Sequence, residues 1–162
     1  MNEVKKVCVV VGSRANYSSI KSAMKAIRDH TNLELQVIAG ASAIIDRYGR
    51  VVDHMKSDGF KIDDEVYMIV EGENPLTMAQ STGVGLLALP PVFERLKPDI
   101  VVTVGDRYET MATTLAAAYM NIPIAHTMGG EVSGTIDESI RHAVTKFAHI
   151  HFPASRDAAE RI

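Results

Sequence analysis

The sequence predicts an α/β domain in which a parallel sheet is covered by helices on both faces. Short aliphatic runs alternate with longer amphipathic segments along the 162 residues, which is typical of repeated strand–helix–strand units. The run at 7–11 is apolar throughout, and the run at 100–104 is apolar except for Thr103. Strands that lack alternation are expected where both faces of a sheet are buried.

Each predicted element has a local signal. Aliphatic runs closed by glycine or proline predict strands at 7–11, 33–39, within 60–70, and at 100–104, 123–126 and 149–153. Helical spacing of apolar residues predicts helices at 17–29, 44–58 with an interruption at Gly49, 75–96, 108–120 and 136–148.

Three further signals concern the helices. Pro75 suits a first helical turn, whereas Pro90-Pro91 should kink or split the helix that contains them. Gly83-Val84-Gly85 resembles half of a dinucleotide fingerprint, but it lies inside a predicted helix, where close packing explains it better. Since the last residues look like the first turns of a helix, we expect a second domain to follow.

Composition excludes several classes of function. The net charge of −3 and the scattered basic residues argue against a nucleic-acid partner. Cys8 is the only cysteine, so no intrachain disulfide can form. We find no signal peptide and no stretch long enough to span a bilayer, which predicts a cytoplasmic protein without a membrane partner. The six histidines match no helical His-Glu-x-x-His or cysteine–histidine ligand set, so we expect no metal.

Polar residues follow the predicted strands, at the edge where open parallel sheets bind ligands. Gly12-Ser13-Arg14 lies between a strand and a helix, so it suits a phosphate, although a tight turn with an exposed arginine explains it equally well. Asp106 follows Gly105 at the end of a buried strand. It is a candidate for proton transfer, and an N-cap for the next helix is the simpler interpretation.

A third polar group lies on one helical turn. Asp137, Glu138 and Arg141 have spacings that bring both carboxylates within reach of the guanidinium. Such spacing usually means a solvated ion-pair face. The glycine-rich stretch 129–135 before it permits close backbone approach to a ligand, which favours a binding site.

The sequence resembles the UDP-N-acetylglucosamine 2-epimerase family, and most closely its hydrolysing branch, which releases UDP and N-acetylmannosamine for sialic-acid synthesis. The stretches that carry the resemblance are 12–18, 46–49, 96–99, 105–107 and 129–142. It implies that residues 1–162 form the N-terminal Rossmann-like half of a glycosyltransferase-B architecture. The C-terminal nucleotide-binding domain would be absent from this chain, which we therefore expect to fold but to be catalytically silent alone.

The resemblance also implies a substrate and a set of roles. UDP-N-acetylglucosamine would be the substrate, without a cofactor, in a homo-oligomer. The implied acid and base groups are Asp106, Glu131 and Asp137. The implied substrate-binding residues are Arg14, Arg107, His126, Ser133, Glu138 and Arg141, with Arg14 at the phosphates and Arg141 holding the carboxylates.

Three positions depart from the family pattern and leave alternatives open. Met128, Ala43 and Val104 stand where relatives often have glutamate, histidine and histidine. Methionine cannot transfer a proton. An epimerase for a different nucleotide sugar, a glycosyltransferase of this architecture, or a noncatalytic assembly domain would each be compatible with these losses.

Overall fold

The computed structural model describes residues 3–162 and is built around one six-stranded sheet. The strands are β1 (Lys5–Val11), β2 (Leu33–Gly40), β3 (Asp64–Val66), β4 (Ile100–Val104), β5 (Ile124–Thr127) and β6 (Ile150–Phe152). Their order across the sheet is β3-β2-β1-β4-β5-β6, and all neighbouring pairs are parallel. The chain builds outward from β1 on one side and then crosses to β4. A reversal of this kind places a ligand crevice at the carboxyl ends of β1 and β4.

Helices connect the strands. Within residues 3–162 the α-helices are α1 (Arg14–Arg28), α2 (Val51–Ser57), α3 (Pro75–Leu96), α4 (Tyr108–Tyr119), α5 (Ile136–Phe147) and α6 (Arg156–Arg161). Two short 3-10 turns, Ala41–Ile44 and Asp46–Tyr48, follow β2.

Alternate residues of the central strand serve two separate cores. Val7, Val9 and Val11 pack with the apolar faces of α1 and α2. Cys8 and Val10 point the other way and pack with α3 and α4. Both faces of β1 are therefore buried, which explains its lack of alternation and confirms the predicted helices on both sides of the sheet.

Two segments differ from the sequence prediction. The segment 44–58 is a 3-10 turn followed by the short α2, because Gly49 and Arg50 adopt left-handed backbone conformations that no helix can contain. Within 60–70 only Asp64–Val66 pair with β2, at the edge of the sheet. Beyond the paired residues, Met68 inserts its side chain into the core formed with α3.

Of the two outcomes predicted for Pro90-Pro91, a kink or a split, the split was wrong, since α3 continues through both prolines. Each proline removes a backbone donor. Leu89, Val92 and Phe93 are buried around this point, so packing against the sheet offsets the loss. Among the adjacent glycines, Gly85 confirms the close-packing interpretation, because a Cβ there would lie 2.9 Å from Ala112 Cβ on α4.

The expectation that no segment could span a bilayer also needs correction. In the part of the chain that the structure describes, α3 has 22 residues, and an 18-residue window within it has a mean hydropathy of 1.2, which meets the length and composition required. The core helix of a globular domain passes the same test. In this structure α3 packs on α4 and the sheet through Leu89 and Phe93, while Leu76, Val84 and Leu87 are exposed.

Candidate active site at the carboxyl edge of the sheet

Four adjacent strands bring the predicted polar turns to one edge. Gly12 follows β1, Gly40 ends β2, Gly105 follows β4, and His126 lies near the end of β5. The order β2-β1-β4-β5 makes these strands consecutive neighbours. The prediction that the four positions share the carboxyl edge of the sheet is therefore confirmed.

The turn after β1 leads directly into the N-terminus of α1. Ser13 caps α1, its Oγ accepting from the backbone N–H of Asn16 at 3.1 Å. The Asn16 side chain accepts from the Gly12 N–H at 3.0 Å and donates to the Val104 carbonyl at 3.3 Å. Arg14 is exposed in the first turn of α1. The α1 dipole and a guanidinium therefore face the same solvent, an arrangement that suits an anion.

Asp106 pairs with Arg141, which lies 35 residues away in sequence. Arg141 Nε donates to Asp106 Oδ2 at 3.0 Å, and Nη2 donates to the same oxygen. The Arg141 side chain is 6% exposed and that of Asp106 is 28% exposed. The N-cap of α4 is Arg107, so the simpler interpretation of Asp106 as a cap was wrong.

Arg141 also holds the glycine-rich loop. Its Nη1 donates to the Glu131 carbonyl and its Nη2 to Ser133 Oγ at 3.3 Å. The predicted pairing of Arg141 with Asp137 and Glu138 on its own helix is not found. The reason is that Arg141 lies on the buried side of α5, where its donors meet the turn after β4 and the incoming loop.

Glu138 is occupied with the same loop. Its carboxylate accepts from the backbone N–H groups of Ser133 at 2.7 Å and Gly134 at 2.6 Å. These two bonds, the Gly134 bond being the stronger influence, lower the pKa of Glu138, and His142 at 3.6 Å acts in the same direction. The structure thus shows Glu138 and the Ser133 amide shaping the loop, and their contact with substrate stays a prediction.

Glu131 and Asp137 complete the predicted acid and base set. Both are half-buried, and within residues 3–162 neither carboxylate has a hydrogen bond or ion pair. Arg141 holds Glu131 through its backbone carbonyl only. Both carboxylates are therefore left available to a ligand, on elements that Arg141 fixes in place.

The His126 side chain contacts the turn after β4 from its buried side. Its imidazole is completely buried, with Nε2 donating to the Gly105 carbonyl at 2.8 Å and Nδ1 lying 3.4 Å from Thr145 Oγ1. Burial lowers the pKa of His126, so the neutral ring with a proton on Nε2 fits both contacts. The structure shows His126 fixing the turn that carries Asp106, and its contact with substrate stays a prediction.

The turn that carries Asp106 continues to Arg107, which borders a cavity. The Arg107 side chain is half-exposed and lies over the Tyr108 ring at 5.5 Å. Both residues line a cavity of about 400 Å³, which is the size of a small-ligand pocket. Its other walls include Ser42, Tyr48, Asn74 and Met78. Arg107 is therefore placed where a bound sugar nucleotide could meet it.

Sequence reasoning missed Glu109. It lies in the first turn of α4, is 5% exposed, and approaches Gly12 so closely that a Cβ on Gly12 would be 2.6 Å from Glu109 Cγ. A signal was present: Glu109 is the one charged residue of α4, among small side chains that pack closely on the sheet. A lone charge in such a helix has to be neutralised or partnered.

A Rossmann-like sheet with a helix N-terminus, arginines and carboxylates on one edge is an arrangement that suits an anionic ligand. Residues 25–162 match the model of the UDP-N-acetylglucosamine 2-epimerase family. The chain belongs to this family.

Relatives agree with that assignment, and a solved structure agrees with the fold. The UDP-N,N'-diacetylbacillosamine 2-epimerase (hydrolyzing) of Legionella pneumophila is 34% identical over 98% of this chain and 42% of its own length. The UDP-N-acetylglucosamine 2-epimerase of Neisseria meningitidis is 29% identical over 98% of this chain and 41% of its own. A crystal structure of a UDP-N-acetylglucosamine 2-epimerase superposes with a TM-score of 0.86 at 23% identity, covering 98% of this chain and 44% of that one. This chain therefore spans about two fifths of the length of the relatives it matches.

The three departures from the family pattern lie in two different environments. Ala43 and Val104 are buried in the apolar core beneath the edge. Met128 is 36% exposed and adopts a left-handed backbone conformation with φ of 65°. Only Met128 therefore removes a polar group from the accessible surface of the edge.

Proposed function

We propose that these residues form the N-terminal half of a hydrolysing 2-epimerase that converts UDP-N-acetylglucosamine and water to N-acetylmannosamine and UDP. The observation that carries the proposal is Asp106, a half-buried carboxylate held by Arg141 beside an anion-binding helix N-terminus. Glu131 and Asp137 supply further carboxylates on the same edge. A fold of this kind hosts many activities, so the proposal rests on these groups and on the family.

The chemistry follows from charge placement. With the diphosphate at the N-terminus of α1 and Arg14, the C1–O bond to UDP can break as negative charge moves onto the phosphate. A carboxylate removes the C2 proton, and the electrons of that C–H bond form the C1=C2 double bond. A second carboxyl group then protonates the opposite face of C2 while water adds at C1, and the proton that the water loses restores that carboxyl group. Asp106, Glu131 and Asp137 are the candidates for these two roles.

Contacts to the uridine would come from outside these 162 residues. The relatives are more than twice as long as the segment they share with this chain, which covers 42% and 41% of them. We propose that a second domain closes over the carboxyl edge. Binding energy from the remote nucleotide would then support the chemical step at the sugar.

A second substrate is favoured by one comparison. Sequence identity is higher with the Legionella diacetylbacillosamine enzyme, at 34%, than with the Neisseria UDP-N-acetylglucosamine enzyme, at 29%. The cavity beside Arg107 combines apolar walls from Ile69 and Met78 with the amide of Asn74. Such walls suit an extra acetamido group on the sugar.

The deciding experiment incubates the complete gene product in D2O with UDP-N-acetylglucosamine or its 2,4-diacetamido analogue. We expect UDP release together with a free sugar that is inverted at C2 and carries deuterium there, since C2 loses and regains a proton. Free sugar without deuterium would indicate plain hydrolysis. An inverted sugar still attached to UDP would indicate reversible epimerisation. The relative kcat/KM of the two nucleotides identifies the preferred substrate.

Self-association is also part of the proposal. Leu76, Val84 and Leu87 of α3 are exposed, Leu87 to 79%, and contiguous exposed apolar side chains mark interaction surfaces. We expect Leu87→Asp to shift the sedimentation coefficient of the complete gene product toward that of a monomer. Tyr119→Asp, at a side chain 82% exposed on α4, is the matched control and should leave the assembly intact. The same sedimentation profile for both variants would place the interface elsewhere.

A further inference from the structure

The carboxyl group of Glu109 is buried under the Gly12 turn without a full set of partners. Its side chain is 6% exposed, and Oε1 lies 3.8 Å from Arg107 Nε. Oε2 is completely buried and has no hydrogen-bond partner. A buried oxygen of this kind is costly unless something satisfies it.

A small cavity lies beside the unpartnered oxygen. Its volume is about 10 Å³, and it is lined by Gly12, Asn16, Gly40, Thr103, Glu109 and Thr110. The Thr103 hydroxyl is also buried and unpartnered. This space fits one water molecule, and both residues that carry an unpartnered polar atom line it.

The surroundings of Glu109 favour its neutral form. Burial is the main influence that raises the pKa of Glu109, and Asp137 on α5 and Asp106 after β4 act in the same direction. Arg107 and the backbone of Glu109 itself lower this pKa, by less than burial raises it but by more than either aspartate raises it. The cavity walls contributed by β1, β2 and α1 carry no charge, since they are Val10, Gly12, Gly40 and Asn16.

We propose that Glu109 carries a proton at neutral pH and, through one enclosed water shared with Thr103, acts as an uncharged support for the Gly12 turn, so that the turn can accept a diphosphate. Glu109 is thus a positioning residue. The inference rests on the proposed function, because it assumes that the nucleotide diphosphate binds at the N-terminus of α1.

Charge explains why the proton matters. An ionised Glu109 would put a negative charge directly beneath the anion site, in a poorly solvated position where like charges repel strongly. A bound diphosphate would therefore favour the protonated form, and by linkage loss of the proton weakens binding. The KM for the nucleotide sugar should rise with pH on the order of tenfold, with a smaller change in kcat.

The test compares Glu109→Gln with the wild type in the complete gene product. Glutamine keeps the shape and can donate a hydrogen bond, but it cannot ionise. We expect the alkaline rise in KM for UDP release to disappear in Glu109→Gln and to persist in Glu94→Gln, the control at an exposed position of α3. A rise that persists in Glu109→Gln, or a wild-type KM without pH dependence, overturns the proposal.

Two further measurements do not need activity. The infrared band of a protonated carboxylic acid should be present in the wild type at pH 7 and absent in Glu109→Gln. Because the folded protein retains the Glu109 proton where the unfolded chain has lost it, the free energy of unfolding should fall as pH rises above the usual glutamate pKa. Glu109→Gln should reduce that fall. If no nucleotide sugar yields UDP, the proposed function fails, and these two measurements still decide whether Glu109 is protonated.

Discussion

Asp106→Asn is expected to lower the turnover of the complete gene product on the order of a hundredfold or more, because general acid–base catalysis contributes at least that much. Asparagine keeps the shape of the side chain, and its Oδ1 can still accept from Arg141. It cannot take up a proton, so the loss would report chemistry and not collapse of the turn. The measurement is the initial rate of UDP release, with the melting temperature as the check on folding.

The companion substitutions are Glu131→Gln and Asp137→Asn, which should each cost a similar factor if the three carboxylates act together. Asp29→Asn is the matched control, since Asp29 is exposed just after the C-terminal end of α1, at the opposite edge of the sheet. Deuterium exchange at C2 separates the roles, because loss of the base abolishes exchange. Near-normal turnover in all three variants would show that catalysis does not depend on these carboxylates.

Met128→Glu belongs with this set. It restores the carboxylate that relatives often have at this position, on a side chain that the structure leaves partly exposed. Because Met128 adopts a left-handed backbone conformation, which costs any non-glycine residue about the same strain, the substitution should be tolerated by the fold.

The parts of the fold set by local chemistry could be predicted from the sequence. The aliphatic runs of β1 and β4 and their closing glycines identify strands and their carboxyl ends, because full burial and a tight turn each leave a local residue signal. Once the strands are known to be parallel, the position of Asp106 at the ligand edge follows. Whether α3 continues through Pro90-Pro91 depends on the side chains packed around the prolines. No local sequence pattern identifies those contacts.

The partners within the site could not be predicted in the same way. Helical spacing gives the neighbours of Arg141 on α5, but its actual partner, Asp106, lies on another element 35 residues away. His126 could be identified as a polar residue at a strand end, but whether it faces solvent or the Gly105 carbonyl depends on the turn packed above it. Glu109 was missed because the feature that defines it is its contact with Gly12, nearly a hundred residues earlier in the chain.

Gly130 is the position where the glycine-rich loop is least tolerant of change. Its φ is 81°, and a Cβ there would overlap the Ala158 carbonyl oxygen and lie 2.8 Å from the Ala158 carbonyl carbon. The Gly130 carbonyl also accepts from Arg161 Nη1 at 3.1 Å. The loop is thus locked beneath α6 by backbone atoms that have little freedom to move.

We therefore expect Gly130→Ala to lower the free energy of unfolding by roughly 3 kcal/mol or more, from left-handed strain and the steric overlap together. Gly134→Ala is the matched control in the same loop. Its φ is 72°, but a Cβ there meets nothing within 4 Å, so only the strain of about 1 kcal/mol remains. Urea unfolding of both variants measures the difference. Equal losses would show that α6 can move away from the loop.

The same substitution should also affect catalysis. Gly130 precedes Glu131, whose carbonyl Arg141 holds, so a displaced loop should separate Glu131 from Asp106. Turnover should therefore fall in Gly130→Ala well beyond the fall in Gly134→Ala.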